Sequence, residues 1–261
     1  MTEPLSNQAP RRRGIYLLPN LFTTGAMFSG FYAIVAGIDG KFTLAAIAVF
    51  VAALLDAMDG RVARLTHTQT DFGVQYDSLS DLISFGLAPA LVMYTWSLRY
   101  LSEYGEAWGK LGWAAAFIYA ACAALRLARF NTQAGVADKR WFQGLASPAS
   151  AGVCMAFVWA MSVDGVSGET LCFVTPFFAI IAGLLMVSRV RYVSFKTRPD
   201  NDKVTFLWII AAVLVLVLLA IDTAHVLLGV LGLYVLSGPV LTAWAMGSRR
   251  RRRRHAGEGH Q

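Results

Sequence analysis

Charge is what this chain has least of: 15% of its 261 residues are Asp, Glu, Lys or Arg, against 56% hydrophobic. A soluble domain of that length needs more polar surface, so a water-soluble enzyme or regulatory domain is excluded. Cysteine is scarce as well. Cys122, Cys154 and Cys172 all fall in apolar stretches without metal-ligand spacing, which reads as small buried hydrophobes rather than a thiolate site. A small-x-small cleavage site is missing after the apolar run that follows Arg11, Arg12 and Arg13. That run leads straight into a second one, so it is an uncleaved first helix and not a signal peptide. No internal repeat is visible, which argues against an inverted-repeat transporter.

What the chain has instead is long apolar blocks, eight of them, at about 20–38, 42–64, 77–97, 111–131, 147–163, 170–188, 204–221 and 225–246. Each is near the roughly 17–25 residues that cross a bilayer. The expected fold is an all-α integral membrane protein of about eight transmembrane helices, with short loops joining antiparallel neighbours. With eight spans, both termini and every second loop share one side. That side holds twenty of the 23 Lys and Arg; the other holds Lys41, Arg99 and Lys110. The imbalance predicts cytoplasmic termini and a multi-pass protein of the cytoplasmic (inner) membrane. Residues 1–13 read as a flexible basic tail, with Pro19-Asn20 opening the first helix. Residues 189–203 read as a basic cytoplasmic loop, 204–246 as two additional spans, and 247–261 as a tail containing Arg249 to Arg254. Without interleaved aromatics or a fold, this Arg run serves topology and anionic lipid, not nucleic acid.

Four carboxylates sit where two of the blocks meet. Asp56 and Asp59 lie at i, i+3 near the end of the second span, and Asp77 and Asp81 at i, i+4 at the start of the third. An ionisable residue inside a membrane helix costs about 2.5–3.5 kcal/mol, so four cost on the order of 10 kcal/mol before any partner is counted. At 1.5 Å per residue Asp56 lies roughly 21 Å along its helix, inside a core of about 30 Å. Two antiparallel helices thus aim two carboxylates each into one cavity open to the cytoplasm. Hard oxygen ligands without nearby Cys or His suit Mg²⁺ or Mn²⁺ and not zinc. A pair of such ions would neutralise a diphosphate and stabilise both the attacking and leaving oxygens of a displacement. A neighbouring carboxylate would take the proton of an attacking hydroxyl. The structural alternative pairs the aspartates with Arg61 and Arg64, but four carboxylates on two facing helices, beside small Gly60 and Ala63, exceed what packing needs.

The full string D-x2-D-G-x2-A-R-x8-G-x3-D-x3-D, from Asp56 to Asp81, resembles the signature of the CDP-alcohol phosphatidyltransferases at every fixed position. The resemblance implies a six-helix catalytic core, here residues 14–188, extended by two C-terminal helices. It implies Asp56, Asp59 and Asp77 as metal ligands, and Asp81 at the metal site as the proton acceptor. Gly60, Arg64 and Thr70 would contact the nucleotide-diphosphate, and Ala63, Gly73 and Asn20 would complete the CDP-alcohol-binding set. Homodimers are common in the family, so a homodimer is expected on that ground alone.

The strings Asp77-Ser-Leu-Ser-Asp81-Leu-Ile-Ser-Phe-Gly-Leu-Ala-Pro-Ala90, Arg126-Leu-Ala-Arg129-Phe-Asn131 and Phe142-Gln-Gly-Leu-Ala-Ser-Pro-Ala-Ser-Ala-Gly152 are most similar to members whose acceptor is serine. There the partners would be CDP-diacylglycerol and L-serine, in membrane lipid, and the products a serine phospholipid and CMP. The last string departs from the usual pattern in carrying Ala146 where Pro is common. Serine brings a carboxylate, for which Arg126 and Arg129, at i, i+3, are candidate forks; as plain positive-inside residues they would instead snorkel to the headgroups. Choline, glycerol 3-phosphate, and inositol or its phosphate remain the alternative acceptors. A cation transporter is the alternative of another class, but it needs acids spread along a path, and here they cluster at one end.

Overall fold

The computed structural model describes residues 17–65, 70–133, 141–193 and 206–258. The expected tail 1–13 and most of the basic loop 189–203 lie outside the described residues. Helices α1 (Leu17–Ile38) and α2 (Phe42–Leu65) form an antiparallel pair. The third apolar block is one span in three parts: α3 (Asp71–Asp81), a π-helical segment (Leu82–Leu87) and α4 (Ala88–Trp96). A 3₁₀ segment (Leu98–Tyr104) leads to α5 (Glu106–Gln133), and then follow α6 (Ser147–Val163), α7 (Thr175–Val187), α8 (Phe206–Ile221) and α9 (Thr223–Glu258). Among the described residues each of the eight expected blocks is helical over most of its length. Five of them are long and apolar enough to cross a membrane by length and composition.

The boundaries moved in informative places. The third span begins six residues before the expected Asp77, because Thr70 caps it: the Thr70 hydroxyl accepts the Gly73 backbone N–H at 3.0 Å. The last span does not stop near residue 246; its helical backbone runs on to Glu258, through the arginine run. The all-α expectation also misses a small feature. Trp141–Gln143 (β1) and Arg191–Val193 (β2) form one antiparallel pair, with Phe142 opposite Tyr192. The connections before α6 and after α7 leave backbone groups without helical partners, and pairing them satisfies both. Gly144 closes this ladder in the left-handed region (φ 82°). A side chain there would collide with the Met186 carbonyl, so only Gly lets the chain turn into α6.

Small residues set the helix spacing. Ala33, Ala36, Ala45, Ala46, Val49 and Ala52 are buried along the α1–α2 seam, where short side chains let backbones approach. Large apolar groups such as Phe28, Phe31, Phe117 and Leu216 point outward, as expected of a bundle solvated by lipid. Hydroxyls stitch the interior: Ser80 Oγ donates to the Thr23 carbonyl at 3.1 Å, and Ser84 Oγ to the Ala26 carbonyl at 3.0 Å. Away from the aspartates, His225 bridges two carboxylates, with Nδ1 2.7 Å from Asp222 and Nε2 3.1 Å from Asp164. Asp222 also accepts the His225 backbone N–H and so caps α9.

α1 comes close to the π segment at Gly30, where an added Cβ would stand 2.7 Å from the Ser84 Cα. We predict that Gly30→Val destabilises the bundle by about 1–3 kcal/mol, the usual cost of overpacking, and lowers its thermal unfolding midpoint in detergent. An unchanged midpoint would mean that α1 and the π segment are not held this closely.

Candidate active site

The carboxylates converge as the spacing predicts. Asp56 and Asp59 come from the second half of α2 and Asp77 from α3, and one oxygen of each lies within 4.8 Å of the others. Asp81 stands one turn further along α3, within electrostatic range of all three. Asp59 is the most enclosed, 5% exposed, and accepts a 2.7 Å hydrogen bond from the Thr23 hydroxyl of α1. Since Ser80 in turn donates to the Thr23 carbonyl, three helices are tied together at one residue. Thr23 was not among the residues singled out from the sequence. A lone threonine on an apolar helix carries no signal there.

Among the described residues, none of the four aspartates forms a salt bridge; Arg61 and Arg64 are exposed and make none. The structural alternative, a bundle held by Asp–Arg pairs at this point, is therefore not what the chain builds. One oxygen each of Asp77 and Asp81 is buried without a hydrogen-bond partner. Buried acceptors left unmatched are costly. Clustered, anionic and short of donors, this set fits a hard divalent cation.

Around the cluster the pocket is shaped by small residues. A Cβ added to Gly60 would meet nothing within 4 Å, so this exposed glycine leaves open room beside Asp56 and Asp59. Gly73 sits under the Thr70 hydroxyl, and a Cβ there would lie 3.1 Å from Thr70 Oγ1 and 3.6 Å from Asn20 Oδ1. Asn20, Thr70 and Gly73 therefore meet at one edge, where Thr24 also pairs with the Tyr76 hydroxyl at 2.9 Å. Arg64 follows one turn after Gly60 on α2, and Ala63 lies between them in sequence.

The two candidate forks separate. Arg126 turns inward: Nη1 donates to the buried Ser147 hydroxyl at 2.8 Å, Nε is buried without a partner, and Asp81 lies within electrostatic range. Arg129 reaches the end of α7, where Nη1 donates to the Val187 carbonyl at 3.4 Å. Asn131 Nδ2 donates to the Ser78 hydroxyl at 2.9 Å and fixes α5 against α3. Neither Ser147 nor Asn131 stood out in the sequence as more than part of a string.

Comparison with known proteins bears on what such a pocket does. The sequence model of the CDP-alcohol phosphatidyltransferases matches residues 16–188, the stretch holding all four aspartates. The chain belongs to that family. Among its relatives is a CDP-diacylglycerol–serine O-phosphatidyltransferase of Helicobacter pylori, 36% identical over 207 residues, covering 78% of this chain and 83% of that protein. A protein of the same name from Methanocaldococcus jannaschii is 32% identical over 173 residues, 66% of this chain and 72% of the relative. An archaetidylserine synthase of Methanothermobacter thermautotrophicus is 34% identical over 179 residues, 67% and 69% of the two chains.

The Thr23–Asp59 bond gives a direct test of the site. We predict that Thr23→Val weakens Mn²⁺ binding by about 10–100-fold, the usual effect of losing an outer-shell partner, as measured by titration of the purified protein. Unaltered affinity would remove Asp59, or its orientation by Thr23, from the metal site.

Proposed function

We propose that this protein transfers the phosphatidyl group of CDP-diacylglycerol to L-serine, giving phosphatidylserine and releasing CMP. The observation that carries the reading is the convergence of Asp56, Asp59 and Asp77, with Asp81 beside them, in a family that transfers substituted phosphates from CDP-alcohols. Serine as acceptor is common to the names of the relatives above, although their lipids differ.

Asp56, Asp59 and Asp77 would hold the metal in this reading. Bound there, Mg²⁺ or Mn²⁺, and with this many carboxylates a pair, would neutralise the diphosphate and stabilise the oxygens that attack and leave. The open space at Gly60 admits the diphosphate close to the α2 backbone, and Arg64 meets its charge from the same helix. Ala63, Thr70, Gly73 and Asn20 border the nucleotide end. The serine hydroxyl gives its proton to Asp81 as its oxygen attacks the phosphorus nearest the diacylglycerol, and CMP leaves with the electrons of the broken P–O bond. Arg126, with Nη1 on Ser147 and Nε buried without a partner, takes the serine carboxylate. Arg129 is already engaged with Val187 and flanks it.

The orientation follows from charge. The aspartates lie at the end of α2 that carries Arg61 and Arg64, the arginine-rich side, so the pocket opens to the cytoplasm and the acyl chains enter from the surrounding lipid.

Purified protein given CDP-diacylglycerol and one acceptor at a time should release CMP with L-serine, only with Mg²⁺ or Mn²⁺ present, and a chelator should abolish it. Release with choline or glycerol 3-phosphate instead would keep the chemistry and overturn the acceptor. Asp81→Asn should lower kcat by about 10²–10⁴-fold, the range for loss of a general base, while the unfolding midpoint holds; near-normal turnover would end that assignment. For Arg126→Lys we expect a serine KM raised by about tenfold, since the fork geometry is lost, with the KM for CDP-diacylglycerol unchanged. An unmoved serine KM would place the carboxylate elsewhere.

A further inference from the structure

The chain enters α6 through a corner that is fastened on both sides. Before the helix, the Gly144 N–H donates to the Val190 carbonyl at 2.9 Å and the Leu145 N–H to the Leu185 carbonyl at 3.0 Å. Both bonds tie the approach to the end of α7 and the residues just after it. Ala146 then stands at φ −63°, ψ 136°, which is the geometry a proline would take, so its departure from the usual Pro leaves the turn intact. Pro148 fixes the first turn of α6. From that turn the Ser150 hydroxyl donates to the Ala182 carbonyl of α7 at 3.3 Å. Ser147 is the residue this corner delivers. It is fully buried, and its hydroxyl accepts Arg126 Nη1 at 2.8 Å. It is not the cap of α6: Ala146 holds that position and makes no side-chain cap bond. The Ser147 hydroxyl serves α5 instead.

We infer that Ser147 is a positioning residue for the acceptor: by holding one arm of the Arg126 guanidinium, it sets the plane in which the remaining donors meet a carboxylate. The inference rests on the serine-transfer reading above and deepens it. A guanidinium is a flat fork of five N–H donors. Two of them grip a carboxylate together only when the plane of the fork is right, and the long Arg stem leaves that plane free unless something fixes it. Ser147 fixes it from a backbone that is itself locked. The bond uses Nη1 and so spares the Nε–Nη2 edge, the side of the fork that takes both oxygens of a carboxylate at once. Nε, on that edge, is buried without a partner. A choline-like acceptor carries no carboxylate and gains nothing from this alignment, so Ser147 acts on the choice of acceptor and not on the nucleotide.

The test is steady-state kinetics of the full-length protein carrying Ser147→Ala, read beside Arg126→Lys and the double variant. Ser147→Ala should raise the serine KM about fivefold, the scale of one ordinary hydrogen bond, with the KM for CDP-diacylglycerol and the unfolding midpoint unchanged. Because the effect passes through Arg126, Ser147→Ala should add little to the serine KM of Arg126→Lys, whereas independent sites would multiply. An unchanged serine KM overturns the inference. So does a rise in both KM values together, which a merely structural serine would give, or full multiplication in the double variant. Should Ser147→Ala fold poorly, Ser147→Cys keeps a similar volume with a weaker acceptor. A smaller but selective rise in serine KM then supports the inference, and no effect or equal effects on both substrates overturn it. If the wild-type protein releases no CMP with serine, or Arg126→Lys leaves the serine KM unmoved, the parent reading fails. That pattern is distinct from a sensitive Arg126→Lys beside an indifferent Ser147→Ala, which ends the role of Ser147 alone.

Discussion

Like charge held in a small apolar volume is the constraint on which this bundle is built. Two ionised carboxylates 4–5 Å apart repel by about 3–4 kcal/mol at the effective dielectric usual for proteins. Three from two helices lie within 4.8 Å, and among the described residues no basic side chain pairs with them. Such an arrangement calls for a neutralising cation, and for surrounding helices with grip enough to keep the aspartates together. The α1–α2 seam of buried alanines and the Ser80–Thr23–Asp59 relay supply that grip. Both work by proximity, the first through small side chains and the second through hydroxyls that reach a neighbour's carbonyl or carboxylate.

The relay also explains why the third span is not a regular helix. Asp77 and Asp81 must face α2, while Ser80 and Ser84 must face α1. Directly after Asp81 the chain switches to π-helical geometry for Leu82–Leu87, which rotates the remainder of the span. Phe85, Ala88 and Val92 then fall into the core. Interruptions of this kind concentrate where a helix serves a site as well as a core.

Much of this was legible in the sequence, for physical reasons. Hydropathy blocks give the helices because lipid tolerates few other ways of satisfying a backbone. Asp56, Asp59, Asp77 and Asp81 announce themselves because charge in an apolar helix is expensive. What stayed hidden is whatever depends on contacts across helices. Thr23 and Ser147 look like ordinary small polar residues until Asp59 and Arg126 are placed against them. The β1–β2 pair is too short for periodicity to register, and the early start of α3 turns on one threonine cap. Arg126 and Arg129 were indistinguishable by spacing; only the fold shows that one reaches Ser147 at the start of α6 and the other the end of α7.

α9 illustrates how a peripheral helix acquires a fixed azimuth. A lipid-facing helix pinned at one point can roll about its axis, sweeping each side chain around the circumference. This one is pinned twice. His225, gripped between Asp164 and Asp222, holds its first turn, and the Tyr192 hydroxyl on the Val235 carbonyl holds it again about 15 Å along. With both pins in place, rolling would break one or the other, so the compass bearing of every residue between them is set by groups at opposite ends of the bundle.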